Sequence, residues 1–433
     1  MDKQGPKRYH IITFGCQMNA HDSERIAGIL QSKGLTEVVQ PEEADLIVIN
    51  TCSIRQKAED KFYSQIGRFR SLKQRKPSLK IAVAGCIAQQ EGERITKRAP
   101  YVDLVIGPQN IYAIKDISNL QGRVFTEQEV SFLDEYEYPI QRQNPVKALV
   151  NIMYGCNNFC SYCIVPYTRG RERSRVSRDI LREIKELAQK GYKEVMLLGQ
   201  NVNSYKDDLD FTELLIKIGE IEGIERVRFM TSHPKDLSDR LIGLFGELRS
   251  LCEHIHLPLQ SGSDRILGLM NRKYTYQKYL EKILKLRSKV PEIVITTDII
   301  TGFPQETERD HQLTLEALKE IRFDGIFSFK YSVRPNTAAA NLEGHLPEET
   351  KEQRLYEINS VQDIITEEKN KVLEGREVEV MVEEISDKPD FEYMGRTRGN
   401  KLVYIKTDKA ISYGTFLNVI IKKAYRHSLE TEV

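Results

Sequence analysis

Gly155-Cys156-Asn157-Asn158-Phe159-Cys160-Ser161-Tyr162-Cys163 is the stretch whose reading decides the fold. Its cysteines follow the spacing Cys-x3-Cys-x2-Cys, with a tyrosine just before the last. Three thiolates this close can hold three irons of a four-iron cube and leave the fourth without a protein ligand. An open iron can bind a substrate or cofactor, whereas a fully ligated cube can only pass electrons. The plainer reading is structural zinc, but zinc takes four Cys or His ligands, and no Cys or His lies between Cys163 and His233.

Outward from this run the pattern is strand, loop, helix, repeated. An apolar strand, Ala148–Tyr154, leads into Cys156, and Ser177 is a good N-cap for an amphipathic helix carrying Ile180, Ile184, Leu187 and Ala188 on one face. Further strands are predicted at Glu194–Gly199, Arg226–Met230, Glu253–Leu257, Ile293–Ile300 and Gly325–Tyr331. Six βα units make an open, partial (βα)6 barrel. Its active site belongs at the C-terminal strand ends, which is where the cysteine run falls.

Upstream, strands are predicted at Tyr9–Phe14, Leu46–Asn50, Lys80–Ala84 and Leu104–Ile106, with a helix at Ser23–Lys33. This alternation implies an N-terminal parallel α/β domain. Cys16, Cys52 and Cys86 each lie just past a strand end, separated by 36 and 34 residues. In a parallel sheet those ends share one edge, where ligands bind, so the three converge on a shared metal site. A lone free Cys is usually a small buried apolar residue, and Cys252 is read that way. Residues 126–144 form an acidic linker. After a charged helix at Glu348–Leu373, alternating Val378/Val380/Val382, Val403/Ile405 and Leu417/Val419/Ile421 mark a small antiparallel β-barrel. The division is thus 1–125, linker 126–144, barrel 145–372 and β-domain 373–433.

The 433 residues carry 64 Lys+Arg against 63 Asp+Glu, so any nucleic-acid site must be a local patch. No apolar run suggests a membrane helix, and no signal core opens the chain. A cytoplasmic setting follows, in which thiols stay reduced and favour metals over disulfides. Arg169, Arg171, Arg173, Arg175 and Arg178 crowd the loop after Cys163, and guanidinium forks suit phosphate and carboxylate. The hairpin Arg396, Arg398 and Lys401 is a second basic patch. Gly199, Gln200 and Asn201 follow the second barrel strand, and Asp298 and Gly302 mark the fifth. Both place polar groups at the rim, suited to a nucleoside cofactor, although Thr307 and Asp310 equally read as a helix cap.

The cysteine run resembles the signature of radical S-adenosylmethionine (SAM) enzymes, and the whole chain resembles their methylthiotransferase family. The strings Thr13-Phe14-Gly15-Cys16-Gln17-Met18-Asn19, Asn50-Thr51-Cys52-Ser53-Ile54-Arg55, Gly85-Cys86 and Pro166-Tyr167-Thr168-Arg169-Gly170-Arg171 carry the likeness, with His256-Leu257-Pro258-Leu259-Gln260-Ser261-Gly262 and Gly302-Phe303-Pro304. Gln305 departs from a usual Gly, and Asn336 and Ala338 from Gly and Pro.

The resemblance implies two 4Fe–4S clusters. Cys156, Cys160 and Cys163 would hold the SAM cluster that generates the radical, and Cys16, Cys52 and Cys86 an auxiliary cluster, with Tyr162 packing beside the adenine. It implies that the β-domain is an OB-like TRAM module for RNA. The expected reaction adds a methylthio group at carbon 2 of N6-isopentenyladenosine 37 in the anticodon stem-loop of a tRNA. It needs two SAM, auxiliary-cluster sulfur, an electron donor and a sulfur source. Alternatives are the relatives acting on an aspartate of ribosomal protein S12 or on threonylcarbamoyladenosine in tRNA, or a non-enzymatic iron–sulfur RNA-binding protein.

Overall fold

The computed structural model describes residues 7–52, 56–119, 122–127 and 138–433. The first six residues, Ser53-Ile54-Arg55 and most of the expected linker (128–137) lie outside the described residues. The chain divides into two compact units. One comprises Met1–Gln143, Tyr154–Asn157 and Cys163–Glu172; the other comprises Asn144–Met153, Asn158–Tyr162 and Arg173–Val433.

In the first unit, β1 (Arg8–Phe14), β2 (Thr36–Glu37), β3 (Leu46–Thr51), β4 (Lys80–Gly85), β5 (Leu104–Ile106) and β6 (Arg123–Phe125) form one parallel sheet in the order β2-β1-β3-β4-β5-β6. The near-continuous apolar runs of β3 and β4 are those of strands buried on both faces. Ile47, Ile49, Ile81 and Val83 pack against Phe62, Ile66 and Phe69 on one face. Leu46, Val48, Ala82 and Ala84 pack against Ile26, Ile29 and Leu30 on the other. Each such side chain contributes about 1.5–3 kcal/mol on full burial. The first helix runs Gln17–Ser32 and so starts six residues earlier than its apolar period predicts. Its first turns bury Asn19, His21, Asp22, Ser23, Glu24 and Arg25, and buried polar residues leave no hydrophobic period to read.

In the second unit, β7 (Lys147–Asn151), β8 (Glu194–Leu198), β9 (Arg226–Phe229), β10 (His254–His256), β11 (Val294–Thr301) and β12 (Gly325–Lys330) are parallel, in the orders β9-β8-β7 and β10-β11-β12. A parallel bridge between Val227 and Leu251 links the two sets, completing the six-stranded partial barrel. One local expectation fails. Ser177 is the first residue of its helix rather than the cap, which is Val176. The Ser177 hydroxyl is taken by Asp208 and its amide by Asp207. Cys252 is fully buried, as expected, and burial pushes its thiol up to about 11.

After the helix Glu348–Lys371, β13 (Glu377–Ile385), β14 (Tyr393–Thr397), β15 (Leu402–Lys406), β16 (Phe416–Ile420), β17 (Lys423–Ala424) and β18 (Leu429–Glu432) curl into a small sheet. It is antiparallel except for β15 against β18. Val380, Val382, Val403, Ile405, Val419 and Leu429 fill its core.

Candidate metal-cluster sites

In the first unit the strand register aligns the three cysteines. Phe14 pairs with Thr51, and Thr51 with Gly85. Cys52 and Cys86 therefore leave adjacent strands at one level, and Cys16 follows one residue further on, as the N-cap of the first helix. Neighbouring parallel strands lie about 4.8 Å apart, so the three sulfurs gather at one edge. Gly15 and Gly85 make this possible. Gly15 has φ +138°, and a Cβ there would stand 2.6 Å from the Cβ of Cys52. Gly85 has φ +93°, and its Cβ would strike Asn50 Oδ1. Around the thiols runs an amide brace. The Cys16 thiol donates to Asn19 Oδ1 at 3.3 Å, Asn19 Nδ2 donates to Asn50 Oδ1 at 3.1 Å, and Asn50 Nδ2 donates to Ser23 Oγ at 2.9 Å.

Cys52 sits between the other two sulfurs. Its hydrogen bonds, followed by the charge of Arg169, hold Cys16 down at about 6 and Cys86 at about 7. Sharing bonds with both pushes Cys52 itself up. Two of the three groups are thus poised as thiolates, the form that ligates metal. Among the described residues no three His, Cys, Asp or Glu side chains close around a single ion. A four-iron cube instead asks one thiolate for each of three irons, and an all-sulfur donor set at a strand edge fits it.

Arg169 is buried in this unit and gives Nη2 to Asp22 Oδ2 at 2.8 Å. Burial opposes its charge; Asp22, then Cys86 and Cys16, more than offset that. Gln109 Nε2 holds the Arg169 carbonyl at 2.9 Å. In the same unit, the Cys156 amide donates to the Gly170 carbonyl at 3.2 Å.

In the second unit, the segment around Cys160 is anchored from several sides. The Ser161 amide and hydroxyl donate to the carbonyls of Met270 (3.0 Å) and Leu269 (2.8 Å). The Ser161 carbonyl accepts from the Ala339 amide at 2.8 Å, and Asn271 Nδ2 holds the Phe159 carbonyl at 2.9 Å. Phe159 itself takes a left-handed φ of 47°. Arg272 donates to Cys160 Sγ at 3.3 Å. Tyr162 is half-buried against an apolar cluster of Ile266, Met270, Phe303, Tyr331 and Ala339.

The residues expected at the SAM contact are dispersed in role. Gly199 and Gln200 follow β8, and buried Asn201 donates to Asp236 Oδ2 at 2.8 Å. Asp298 lies midway along β11, 3.4 Å from His256 Nε2. Gly302 belongs to a stitched turn. Its amide donates to Glu306 Oε2 at 2.6 Å, Arg354 grips the same oxygen at 2.9 Å, and the Lys351 stem fills the space of its missing side chain. Thr307 and Asp310 form a capping box, which settles their role as a helix start.

Several basic residues expected to face RNA are occupied elsewhere. Arg169 is consumed by Asp22. Arg175 is buried, bound to the Asn151 carbonyl and 3.0 Å from Glu183. Arg171 and Arg178 are exposed, and Arg173 is half-buried. The hairpin Arg396–Lys401 packs against the N-terminal ends of the barrel strands. Arg398 grips Glu253 with two nitrogens, at 2.6 and 2.9 Å, and the Leu251 carbonyl at 2.9 Å. Fully buried Arg226 and Arg228 reach back to the Arg396, Thr397 and Arg398 carbonyls, and Arg228 pairs with buried Glu194 at 3.1 Å. Lys401 donates to Asn370 Oδ1 at 2.7 Å, and Arg396 lies 3.8 Å from Glu383. Gly399 leaves no room for a Cβ, which would meet Val294 at 2.5 Å. Val294 begins the eight-residue β11, whose far end is about 23 Å away at ~3.3 Å per residue. The hairpin therefore closes the end of the barrel opposite the rim, and its charges are spent on that seam.

Sequence reasoning passed over Asp22, Asn19, Asn50 and Arg272. Asn19 and Asn50 stand inside the quoted cysteine strings, which was signal enough. Arg272 had none, lying 112 positions from Cys160.

Comparison with known proteins agrees with these parts. Residues 8–107 match the uncharacterized protein family UPF0004, 150–318 the radical SAM superfamily and 371–433 the TRAM domain. The fold is similar to the radical SAM methyltransferase TsrM from Kitasatospora setae (TM-score 0.56, 12% identity, 78% of this chain and 77% of that one). It is also similar to the radical SAM enzyme OxsB (TM-score 0.53, 12% identity, 83% and 56%). The tRNA-2-methylthio-N(6)-dimethylallyladenosine synthase of Syntrophus aciditrophicus is 48% identical, over 99% of this chain and 94% of the relative. That of Thermodesulfovibrio yellowstonii is 55% identical over 98% of both chains. With such likeness along its full length, and with the cysteines grouped as described, this chain belongs to the tRNA-2-methylthio-N(6)-dimethylallyladenosine synthase family of radical SAM methylthiotransferases.

Proposed function

We propose that this protein adds a methylthio group to carbon 2 of N6-isopentenyladenosine at position 37 of tRNA, beside the anticodon. The observation that carries the reading is the pairing of two three-cysteine sets. One lies at the in-register strand ends of a parallel sheet, the other in the run Cys156–Cys163. Cys156, Cys160 and Cys163 would hold a SAM-binding 4Fe–4S cluster, and Cys16, Cys52 and Cys86 an auxiliary one. When bound, these clusters and two SAM supply the one-electron chemistry that opens an unactivated C–H bond, together with the methyl group and sulfur.

The protein's own residues set the geometry. The Asn19–Asn50 brace holds the strand-end loops in place. The Ser161 and Asn271 bonds keep Cys160 from moving away from its corner, and Tyr162 and Asn201 remain the residues proposed to meet SAM, with Gly199, Gln200, Asp298 and Gly302 around them. Surface Arg171, Arg173 and Arg178 would bind anticodon-loop phosphates. In the TRAM domain the exposed Lys406, Lys409, Lys422 and Lys423 replace the half-buried, ion-paired hairpin as the phosphate-facing charges. A loop nucleotide is a suitable target because sequence-selective RNA recognition favours unstacked bases, and extruding one costs less than from a duplex. A cytoplasmic reductase and a sulfur donor complete the set of partners. No helix among the described residues is long and apolar enough to cross a membrane.

The test supplies anaerobically reconstituted protein, SAM, reductant and sulfide with two anticodon stem-loops, one isopentenylated and one not. Mass spectrometry of the nucleosides should find product from the first alone. Equal product from both, or product only from an S12 peptide, would refute the assignment.

A further inference from the structure

Arg272 sits on the turn after the helix Asp264–Leu269 and is 4% exposed. Its guanidinium is fully aimed. Nε donates to Tyr274 Oη at 3.0 Å, Nη2 to the Pro258 carbonyl at 3.0 Å, and Nη1 to Cys160 Sγ at 3.3 Å and, more weakly, to Tyr162 Oη at 3.5 Å. Tyr274 is fixed in turn, donating to the Leu259 carbonyl at 2.8 Å. Among the described residues no carboxylate forms a salt bridge with Arg272, and a buried cation without a counter-charge is costly. The backbone on both sides is left-handed as well. Asn271 and Lys273 take φ of 59° and 64°; asparagine adopts this region readily, but for lysine it costs about 1–2 kcal/mol. Such strain persists where the surroundings demand it, often at functional sites. Asn271 also binds the Phe159 carbonyl at 2.9 Å, so one turn carries both the cation and a clasp on the cysteine loop. A structural filler would need neither the charge nor the strained turn.

We infer that Arg272 is the positioning residue of the Cys160 corner: it holds that sulfur by a charge-assisted bond and stabilises the reduced state of a cluster ligated there. The inference rests on the proposed SAM cluster. A four-iron core with three thiolates is anionic and grows more so on reduction. A fixed, buried cation at one ligand sulfur therefore favours the reduced form, and hydrogen bonds to sulfur are among the determinants of cluster potential.

The experiment uses the full chain with Cys16, Cys52 and Cys86 each changed to Ala, so that one cluster remains. Iron, sulfide and midpoint potential are measured with Arg272 intact and in R272Q, R272K and K273Q. About four irons per chain are expected throughout, as for one cube. R272Q should lower the reduced-to-oxidised ratio at fixed potential about tenfold, a shift of about −59 mV for a one-electron couple. R272K, which keeps the charge, should shift less, and K273Q, which removes an exposed charge on the same turn, not at all. An R272Q cluster at full occupancy with an unmoved potential overturns the inference. If R272Q holds no iron, R272K decides. Iron with a potential near that of the Arg272 protein supports the inference, and an iron-free but folded R272K overturns it. A parent that itself holds no iron would instead overturn the proposed cluster.

Discussion

Each unit buries an arginine beside a cysteine, yet the two arginines are built differently. Arg169, in the sheet unit, is matched by the carboxylate of Asp22 at 2.8 Å. Arg272, in the barrel unit, has a sulfur, two phenols and a carbonyl around it, but no acid among the described residues. A paired charge is largely spent inside its own pair, while an unpaired one acts on its surroundings. The contrast separates a guanidinium that mainly holds structure from one that mainly projects a field, although Arg169 also favours the Cys16 and Cys86 thiolates.

The largest expected effect breaks the paired case. Removing one partner of a buried ion pair costs about 3–5 kcal/mol, so R169M or D22A should lower denaturant stability by that amount in the apo protein. The double variant R169M/D22L should recover much of it. R272Q, which removes a cation with no acid partner but strips hydrogen bonds from its acceptors, should cost less, about 1–3 kcal/mol. Equal losses from R169M and R272Q would erase the distinction.

The second prediction follows the field of Arg272 to His233. Burial first, and then the Arg272 charge, hold His233 down at about 2. In the unfolded chain a histidine titrates near 6.5. As pH falls through 6.5 the unfolded state takes up a proton that the folded state refuses until about 2. Stability is therefore lost on acidification, by up to about 1.4 kcal/mol per pH unit for this one group. R272Q should raise the His233 pKa, read by NMR, and so end this acid loss at a higher pH, with the slope just below pH 6.5 still set by the unfolded histidine; H233N should remove this contribution. An unchanged His233 in R272Q would show that the Arg272 charge does not reach it.

The third prediction extends the contrast to the TRAM hairpin. Arg398 is engaged by Glu253 and carbonyls, so R398A should cost about 1–3 kcal/mol of stability, as for charged hydrogen bonds. It should leave the salt dependence of RNA binding unchanged. Replacing exposed Lys406 and Lys422 should do the reverse, reducing the salt slope by about 0.7 for each phosphate no longer neutralised. A changed slope in R398A would return the hairpin to the RNA surface.

The smallest effect concerns strain without function. Gln305 and Asn336 stand at φ 66° and 64°, where the family resemblance expects Gly at both. Q305G should stabilise by up to about 1 kcal/mol, the left-handed penalty less the added chain entropy, measured by thermal unfolding. In N271G, where asparagine already tolerates the left-handed φ, little relief is expected, and the lost bond to the Phe159 carbonyl should loosen the Cys160 loop.

Four strands of the first sheet, their parallel direction and the strand-end cysteines were legible because they rest on local pattern: apolar runs, glycine stops, and the rule that parallel strands end on one edge; the short edge strands Thr36–Glu37 and Arg123–Phe125 carry no such run. The six-strand barrel followed from the same alternation. What stayed illegible was which polar side chains would be buried, because their partners are remote. Asp22 lies 147 positions from Arg169, Glu253 lies 145 from Arg398, and Cys160 lies 112 from Arg272. An arginine bound for solvent and one bound for a buried carboxylate look alike in sequence. The early start of the first helix was hidden for the same reason, its buried face being polar. Sequence alone picked out the main strands and the six cysteines proposed as cluster ligands, since periodicity and spacing are properties of neighbours along the chain. The tertiary structure decided the fate of each charge, since burial and pairing depend on what packs against it.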